Sequence, residues 1–195
     1  MGCPVRPPGT VFGGVPAPPQ GRALERDLTE LERSPAVRDG QTCVGSAAAF
    51  SFRLSVPGGA LVPVAGVSMV GVASTYRRQG ILTSLMRRQL DDIRAGGEPL
   101  AVLTASEPAI YGRFGYGIAT YALSVDIDTT RTGLSVPPGT DGLRLRIVDP
   151  EKALADGERV YAELVARRPG MPARQPAGSG CCCWTRSPVA RAAPG

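Results

Sequence analysis

The chain has 195 residues, enough for one domain of ordinary size or one domain with part of a second. Its 43% hydrophobic content and mixed charge argue against wholesale disorder despite 25 glycines and 19 prolines, and the absence of histidine removes Ser-His-Asp and Cys-His catalysis and every histidine metal site. The net charge of +5 is confined to one end: residues 1–166 carry 17 basic and 17 acidic side chains, whereas residues 167–195 carry five arginines and no acid. A basic total of this kind points to nucleic acid only when aromatic residues or a reading module accompany it, and neither does here. The longest apolar stretch, residues 61–72, is short for a membrane span and contains Pro63, and no secretory signal opens the chain. A soluble, cytoplasmic protein with no nucleic-acid or membrane partner is the expectation.

Residues 1–22 contain six prolines and five glycines and predict an irregular start. Leu24, Leu28 and Leu31 recur at helical spacing within residues 23–33. Asp39-Gly40, between Ala36-Val37 and Gln41-Thr42-Cys43-Val44, predicts a hairpin turn flanked by a strand pair. Alternation around Phe50, Phe52 and Leu54 predicts a strand over 47–56, broken by Pro57-Gly58-Gly59. Residues 61–72 are apolar on both faces, as a central strand covered on both sides is.

A helix is expected over 81–94, its core face carried by Ile81, Leu82, Leu85, Met86, Leu90 and Ile93, with Gly96-Gly97 as a left-handed cap. Residues 100–103 read as a short buried strand, 108–114 as a short helix or turn, and 118–128 as another alternating strand. Beyond Val136-Pro137-Pro138-Gly139, a strand over 143–148 and a helix over 150–165 are expected. One strand and one helix do not close a core, so they read as the first fragment of a second domain. The alternation of strands and helices defines an α/β or α+β sheet protein.

Cys181-Cys182-Cys183-Trp184 fits neither a CxxC metal site nor a disulfide framework. Every codon choice for Cys181 to Thr185 reads Leu-Leu-Leu-Asp in the frame that begins one nucleotide earlier. The tail is therefore either the product of a shifted reading frame or a genuine cysteine cluster or lipidated terminus.

The junction from Val70-Gly71-Val72 through Arg77-Arg78-Gln79-Gly80 into Ile81-Leu82 carries the chemistry. A strand running through a basic, glycine-containing turn into a helix is an anion site: unpaired amides and the positive dipole end face the turn, glycine admits a pyrophosphate, and arginines add charge. The same pattern also describes a solvated basic turn capping a core helix.

The segment resembles the Gcn5-related N-acetyltransferases, in which an R/Q-x-x-G-x-G/A turn holds the pyrophosphate of acetyl-CoA. Arg77 and Gly80 fit, and Leu82 stands where the general pattern has Gly or Ala. Within that superfamily the sequence is similar to the enhanced intracellular survival (Eis) aminoglycoside acetyltransferases, through Val70-Gly71-Val72, the run from Arg77 to Met86, the run from Pro99 to Ser106, and Ile110-Tyr111-Gly112-Arg113-Phe114-Gly115-Tyr116-Gly117.

The resemblance implies a mixed central sheet flanked by helices, with the start of a second acetyltransferase-like domain. It divides the chain into an irregular start (1–22), an acetyl-CoA-binding domain that lacks its first strand (23–135), a linker with an incomplete second domain (136–172) and a basic tail (173–195). It implies that Val70 and Val72 pair with the pantetheine arm, that Arg77, Arg78, Gly80, Ile81 and Leu82 surround the pyrophosphate, and that Ser106 lies near the acetyl group. Tyr111 then matches the general acid that protonates the departing thiolate. Glu107 reads equally as a site residue or a helix N-terminal acid, and Tyr116 as an aromatic core plug.

The implied reaction is direct attack by a primary amine (an aminoglycoside, a polyamine or a lysine) on acetyl-CoA, with no metal. Members of the family form homo-hexamers and take the amine's proton with the carboxylate of their own C-terminus, reached through domains that this chain does not carry complete. A truncated form with weak or absent activity, or a CoA-binding remnant, is the alternative expectation.

Overall fold

The fold was analysed in a computed structural model that describes residues 28–173, apart from 122, 129, 132, 134, 136 and 141, together with residues 19 and 26. Four strands form one sheet in chain order: β1 (Ala36–Asp39), β2 (Thr42–Ser55), β3 (Leu61–Val72) and β4 (Leu100–Val102). β1, β2 and β3 are antiparallel neighbours, whereas β4 runs parallel to β3. Helix α1 (Ile81–Ala95) makes the crossover between β3 and β4, and helix α2 (Pro150–Arg167) follows later. This is an α/β sheet protein, as the strand and helix periodicities imply, and its mixed sheet with flanking helices is the one the family resemblance implies.

β2 and β3 dominate the core. Residues on the two strands pair from Gly45 with Val72 to Ser55 with Leu61. Val64, Ala65 and Val67 of β3 are buried, as is Gly66 between them, so consecutive residues facing both sides of the sheet are covered. Ala47, Ala48 and Ala49 do the same in β2. Small side chains there let Leu85, Met86 and Ile93 of α1 approach the sheet closely. Gly45 shows the constraint most directly: a Cβ at this position would lie 2.9 Å from Ile81 Cγ2 and 3.2 Å from Leu85 Cδ1. The first turn of α1 therefore rests on β2 at a residue that cannot grow.

Several sequence expectations change in detail. The strand expected over 47–56 and the hairpin arm at 41–44 are one continuous 14-residue strand, because Gly45 and Ser46 keep an extended backbone. The helix cap divides between two glycines: Gly96 is right-handed and Gly97 has φ +76°. Residues 108–114 form two 3-10 turns, Pro108–Ile110 and Gly112–Phe114. Of the first expected helix, the described end is a 3-10 turn at Leu31–Arg33; most of the segment before it, like the basic tail and its cysteines, lies outside the described residues.

Two expectations are overturned. Residues 118–128 and 143–148 alternate as strands do, yet no described residue of either segment lies in a strand. Alternation supplies one apolar face, and a strand forms only where that face meets a core and its backbone finds a ladder. Here Leu123, Val125, Ile127, Leu145 and Ile147 are exposed.

The free edge of β2 is covered in sections. β1 pairs with its first half. The Glu30 carboxylate accepts from the Ser51 amide at 2.6 Å and from its hydroxyl at 2.7 Å. The end is taken by the segment after α2: Ser55 N–H donates to Met171 C=O (3.0 Å), Gly170 N–H to Ser55 C=O (2.7 Å) and Ala173 N–H to Arg53 C=O (2.7 Å). The buried Ser55 hydroxyl donates to Arg168 C=O at 2.6 Å and accepts from Met171 N–H at 3.2 Å. Replacing Ser55 by Ala removes both contacts and leaves only the 3.4 Å hydrogen bond from Met171 N–H to Arg168 C=O between these groups, at a cost of about 0.5–1.5 kcal/mol. The expected outcome is a lower thermal midpoint, with amide exchange accelerated at 165–173 before it accelerates in β2 and β3.

Candidate acyl-carrier site at the parting of two parallel strands

β3 has neighbours on both sides for only part of its length. Its pairing with β4 covers Val64 with Leu100, Ala65 with Ala101 and Gly66 with Val102, and there β4 ends. β3 continues six residues further, to Val72, still paired with β2. Along Val67–Val72 the edge that faced β4 has no strand partner among the described residues, and alternate residues there direct N–H and C=O groups into the gap. An extended chain entering the gap would complete the ladder as an added strand does.

The open stretch contains a bulge. Ser46 pairs with Gly71 and Ala48 with Ser68, so three steps of β3 answer two of β2. Met69, in the extra turn of backbone, has φ +53°, a left-handed conformation that costs a non-glycine residue about 1–2 kcal/mol. The Ser46 hydroxyl, which donates to Met69 C=O at 3.0 Å, helps to hold it. Beyond the bulge the Val70 side chain packs against the Ala49, Ala65, Val67 and Ile93 cluster, as does Leu103 from the exit of β4. Both walls of the gap thus stand on one core.

At the C-terminal end of β3 the chain makes a 3-10 turn at Ser74–Tyr76, passes through Arg77 and Arg78, and enters α1 with Gly80 as N-cap. Gly80 has φ +82°, and a Cβ there would meet nothing within 4 Å. Conformation rather than crowding demands glycine, and the space above it is open. No side chain caps the helix, so the amides of Ile81, Leu82 and Thr83 lack intrahelical partners. Arg77 and Arg78 are exposed, and no described carboxylate lies within ion-pair distance of either. Arg78 has φ +64°, a second left-handed non-glycine residue in the same passage. Unpaired amides, a positive dipole end and two uncommitted guanidiniums suit a phosphate-bearing group, and the open Gly80 admits it. Donors and space in this turn therefore fit a pyrophosphate.

Tyr76 fixes the approach to this turn. Its hydroxyl donates to Asp39 Oδ2 at 2.6 Å, which ties the turn to the β1–β2 hairpin, and the carboxylate raises the Tyr76 pKa. Sequence reasoning missed this contact because the partners lie 37 positions apart. It also missed Gln89, a buried polar residue on the core face of α1 whose amide has no hydrogen-bond partner among the described residues.

The remaining candidates follow β4. Because β3 and β4 are parallel, their C-terminal ends lie at the same end of the sheet, which brings Ser106, Glu107 and Tyr111 to the end that carries Val70, Val72 and the Arg77–Gly80 turn. Ser106 and Glu107 are exposed. Tyr111 sits between the two 3-10 turns; its amide donates to Pro108 C=O and its carbonyl accepts from Phe114 N–H at 2.9 Å. Gly115, at φ +89°, turns the backbone so that Tyr116 returns to Tyr111. The rings meet edge to face, 5.8 Å between centroids at 72°, and Tyr116 N–H approaches Tyr111 C=O at 3.4 Å. Tyr116 is thus a wall against the candidate acid, with its hydroxyl buried and without a hydrogen-bond partner among the described residues. Burial raises the pKa of Tyr111; burial first, then the neighbouring Tyr111, pushes Tyr116 up to about 12. Both phenols are held protonated at neutral pH.

No three His, Cys, Asp or Glu side chains among the described residues cluster as metal ligands, and no described helix is long and apolar enough to cross a membrane.

Comparison with known proteins places this mixed sheet and its uncapped helix N-terminus in a family. Residues 8–119 match the model of an acetyltransferase (GNAT) domain, and the chain belongs to that family. It is 64% identical over 165 residues to an uncharacterized N-acetyltransferase of Streptomyces avermitilis, covering 85% of this chain and 40% of the relative. It is 37% identical over 159 residues to N-acetyltransferase Eis of Mycobacterium tuberculosis, covering 78% and 40%. Among solved structures, Eis1 of Mycobacterium abscessus superposes with a TM-score of 0.60 at 35% identity, covering 88% of this chain and 41% of that one. The chain spans about two fifths of the length of these relatives.

The phenol pair makes stability depend on alkaline pH. The ordinary tyrosine pKa is 10.0 and the folded value for Tyr116 is about 12. Above pH 10 the unfolded chain releases a proton that the folded chain retains, so the stabilising difference is intact below pH 10 and is lost as pH rises toward about 12. Tyr116→Phe keeps the ring contact and removes the buried hydroxyl. Its thermal midpoint is expected to match or exceed the parent's at pH 7 and to fall less steeply between pH 10 and 12.

Proposed function

We propose that this chain binds acetyl-CoA and passes its acetyl group to a primary amine. The carrying observation is the open edge of Val67–Val72 lying beside the uncapped N-terminus of α1. In this reading the pantetheine arm extends along Val70 and Val72, and a strand N–H polarises the thioester carbonyl. Arg77 and Arg78 with the backbone of Gly80, Ile81 and Leu82 hold the pyrophosphate, and Ser106 lies by the acetyl group. The relatives named N-acetyltransferase Eis support an amine acceptor, with an aminoglycoside, a polyamine and a lysine all within that class.

The amine nitrogen attacks the thioester carbon, forming the C–N bond, and collapse of the adduct breaks the C–S bond. Tyr111 gives its hydroxyl proton to the departing thiolate. The attacking nitrogen loses one proton and the tyrosinate regains one, so the net products are an amide and the free thiol. The fold supplies orientation, backbone dipoles and one acid, which dispenses with both histidine and a covalent intermediate.

Two variants test the assignment by separate readouts. Arg77→Ala removes a charge-assisted contact of about 1.5–3 kcal/mol, so calorimetry with CoA is expected to show at least a roughly tenfold weaker affinity with the thermal midpoint unchanged. Tyr111→Phe is expected to bind CoA as the parent does while thiol release with acetyl-CoA and an amine falls about a hundredfold. Equal CoA affinity in Arg77→Ala, or undiminished turnover in Tyr111→Phe, contradicts the respective role. CoA binding without thiol release in the parent chain favours a binding remnant.

A further inference from the structure

The passage from β3 to α1 has few attachments to the rest of the fold. Ala73 N–H donates to Val44 C=O at 2.9 Å, and Tyr76 N–H closes a turn on Ala73 C=O at 2.9 Å. Beyond that point the backbone of Arg77, Arg78 and Gln79 makes no described hydrogen bond to another segment before α1 begins. Among the described residues, the side chains of Arg77, Arg78 and Gln79 likewise make no hydrogen bond or ion pair. The Tyr76 hydroxyl, donating to Asp39 Oδ2 at 2.6 Å, is therefore the last described tie between the sheet and the turn ahead of the Gly80 N-cap.

The acceptor of that tie stands on a stiff base. Asp39 ends β1 opposite Thr42, across a tight turn in which Gly40 has φ +54°. Arg38 Nη2 donates to Gln41 C=O at 2.8 Å within the same hairpin. The hydrogen bond to Asp39 also raises the Tyr76 pKa, so the phenol stays a donor at neutral pH. A contact at the surface adds little to the stability of the fold, and its effect is local. It removes freedom from the residue that precedes two guanidiniums and the left-handed backbone of Arg78 at φ +64°. It also occupies the Asp39 carboxylate with a phenol rather than with a guanidinium. Side chains and amides held in place before a ligand arrives need not be ordered at the moment of binding, and affinity rises by that difference.

We propose that Tyr76 and Asp39 form a latch that holds the Arg77–Gly80 turn in its phosphate-receiving shape before the acyl carrier binds. The inference rests on the acetyl-CoA reading and adds two positioning residues to it, one of them on a hairpin 37 positions away. Both act through the turn rather than on the carrier itself. The two side chains then behave as one unit, because removing either partner breaks the same bond.

Calorimetry with CoA on the full chain tests the latch through a double-mutant cycle. Tyr76→Phe and Asp39→Ala are each expected to bind CoA roughly three- to tenfold more weakly, and the double variant no more weakly than either single one. Asp39→Asn keeps a carbonyl acceptor for the hydroxyl and is expected to bind CoA as the parent does. Amide exchange measured without CoA is expected to be unchanged in β2 and β3 of Tyr76→Phe, which assigns the lost affinity to the turn and not to the sheet. Losses that add in the double variant overturn the latch, as does an Asp39→Asn chain that binds as weakly as Asp39→Ala. Weaker binding accompanied by faster exchange throughout β2 and β3 also overturns it, because that outcome marks a general loosening. If Arg77→Ala weakens CoA binding and Tyr76→Phe does not, the latch fails while the phosphate site stands. A parent chain that does not bind CoA contradicts the phosphate site, and the latch with it.

Discussion

The site depends on β3 losing one neighbour while keeping the other. From Val64 to Gly66 the strand is held on both sides, and the consecutive burial of Val64, Ala65 and Val67 records it. From Val67 onward only β2 remains, and the backbone groups on the far edge have no described strand to meet. Unpaired backbone polar groups beside a core are costly unless water or a ligand satisfies them. The fold concentrates that demand at one edge and places the N-terminus of α1 at its end. Packing and chemistry meet at Gly45, where the absence of a Cβ lets Ile81 and Leu85 seat the first helical turn.

Two left-handed non-glycine residues, Met69 and Arg78, flank the site on either side of Val70 and Val72. Such conformations persist where the surroundings over-determine them, and they gather where function constrains the backbone. Ser46 restrains the first through the Met69 carbonyl, and the Tyr76 hydroxyl anchors the passage to the second through Asp39. The same contacts that hold the fold thus hold the turn in a shape that directs amides and guanidiniums outward.

Local sequence carried the secondary structure where periodicity and core agreed. The doubly apolar run of β3, the Asp39-Gly40 hairpin and the core stripe of α1 read correctly because each side chain's neighbours are dictated by spacing alone. The turn through Arg77 and Gly80 was legible for a similar reason, since glycine at a positive φ and charged neighbours are local signals. Long-range pairings were not. The bulge at Met69 arises from register with β2, the Tyr76–Asp39 contact joins elements far apart in sequence, and the buried Gln89 interrupts an apolar face without any local mark. Residues 118–128 and 143–148 failed in the opposite sense: their pattern is strand-like, but a strand is a relation between two segments, and within the described chain the second partner is missing.

The central claim is that the parting of β3 and β4 receives an extended thioester carrier whose phosphates end at α1. Backbone hydrogen exchange, resolved by residue with and without CoA, tests it most directly. The account predicts slower exchange at alternate amides of Val67–Val72 and at Ile81, Leu82 and Thr83, with little change in the β1–β2 ladder. Protection confined to other elements, or CoA binding that leaves both of these segments unaltered, would contradict it.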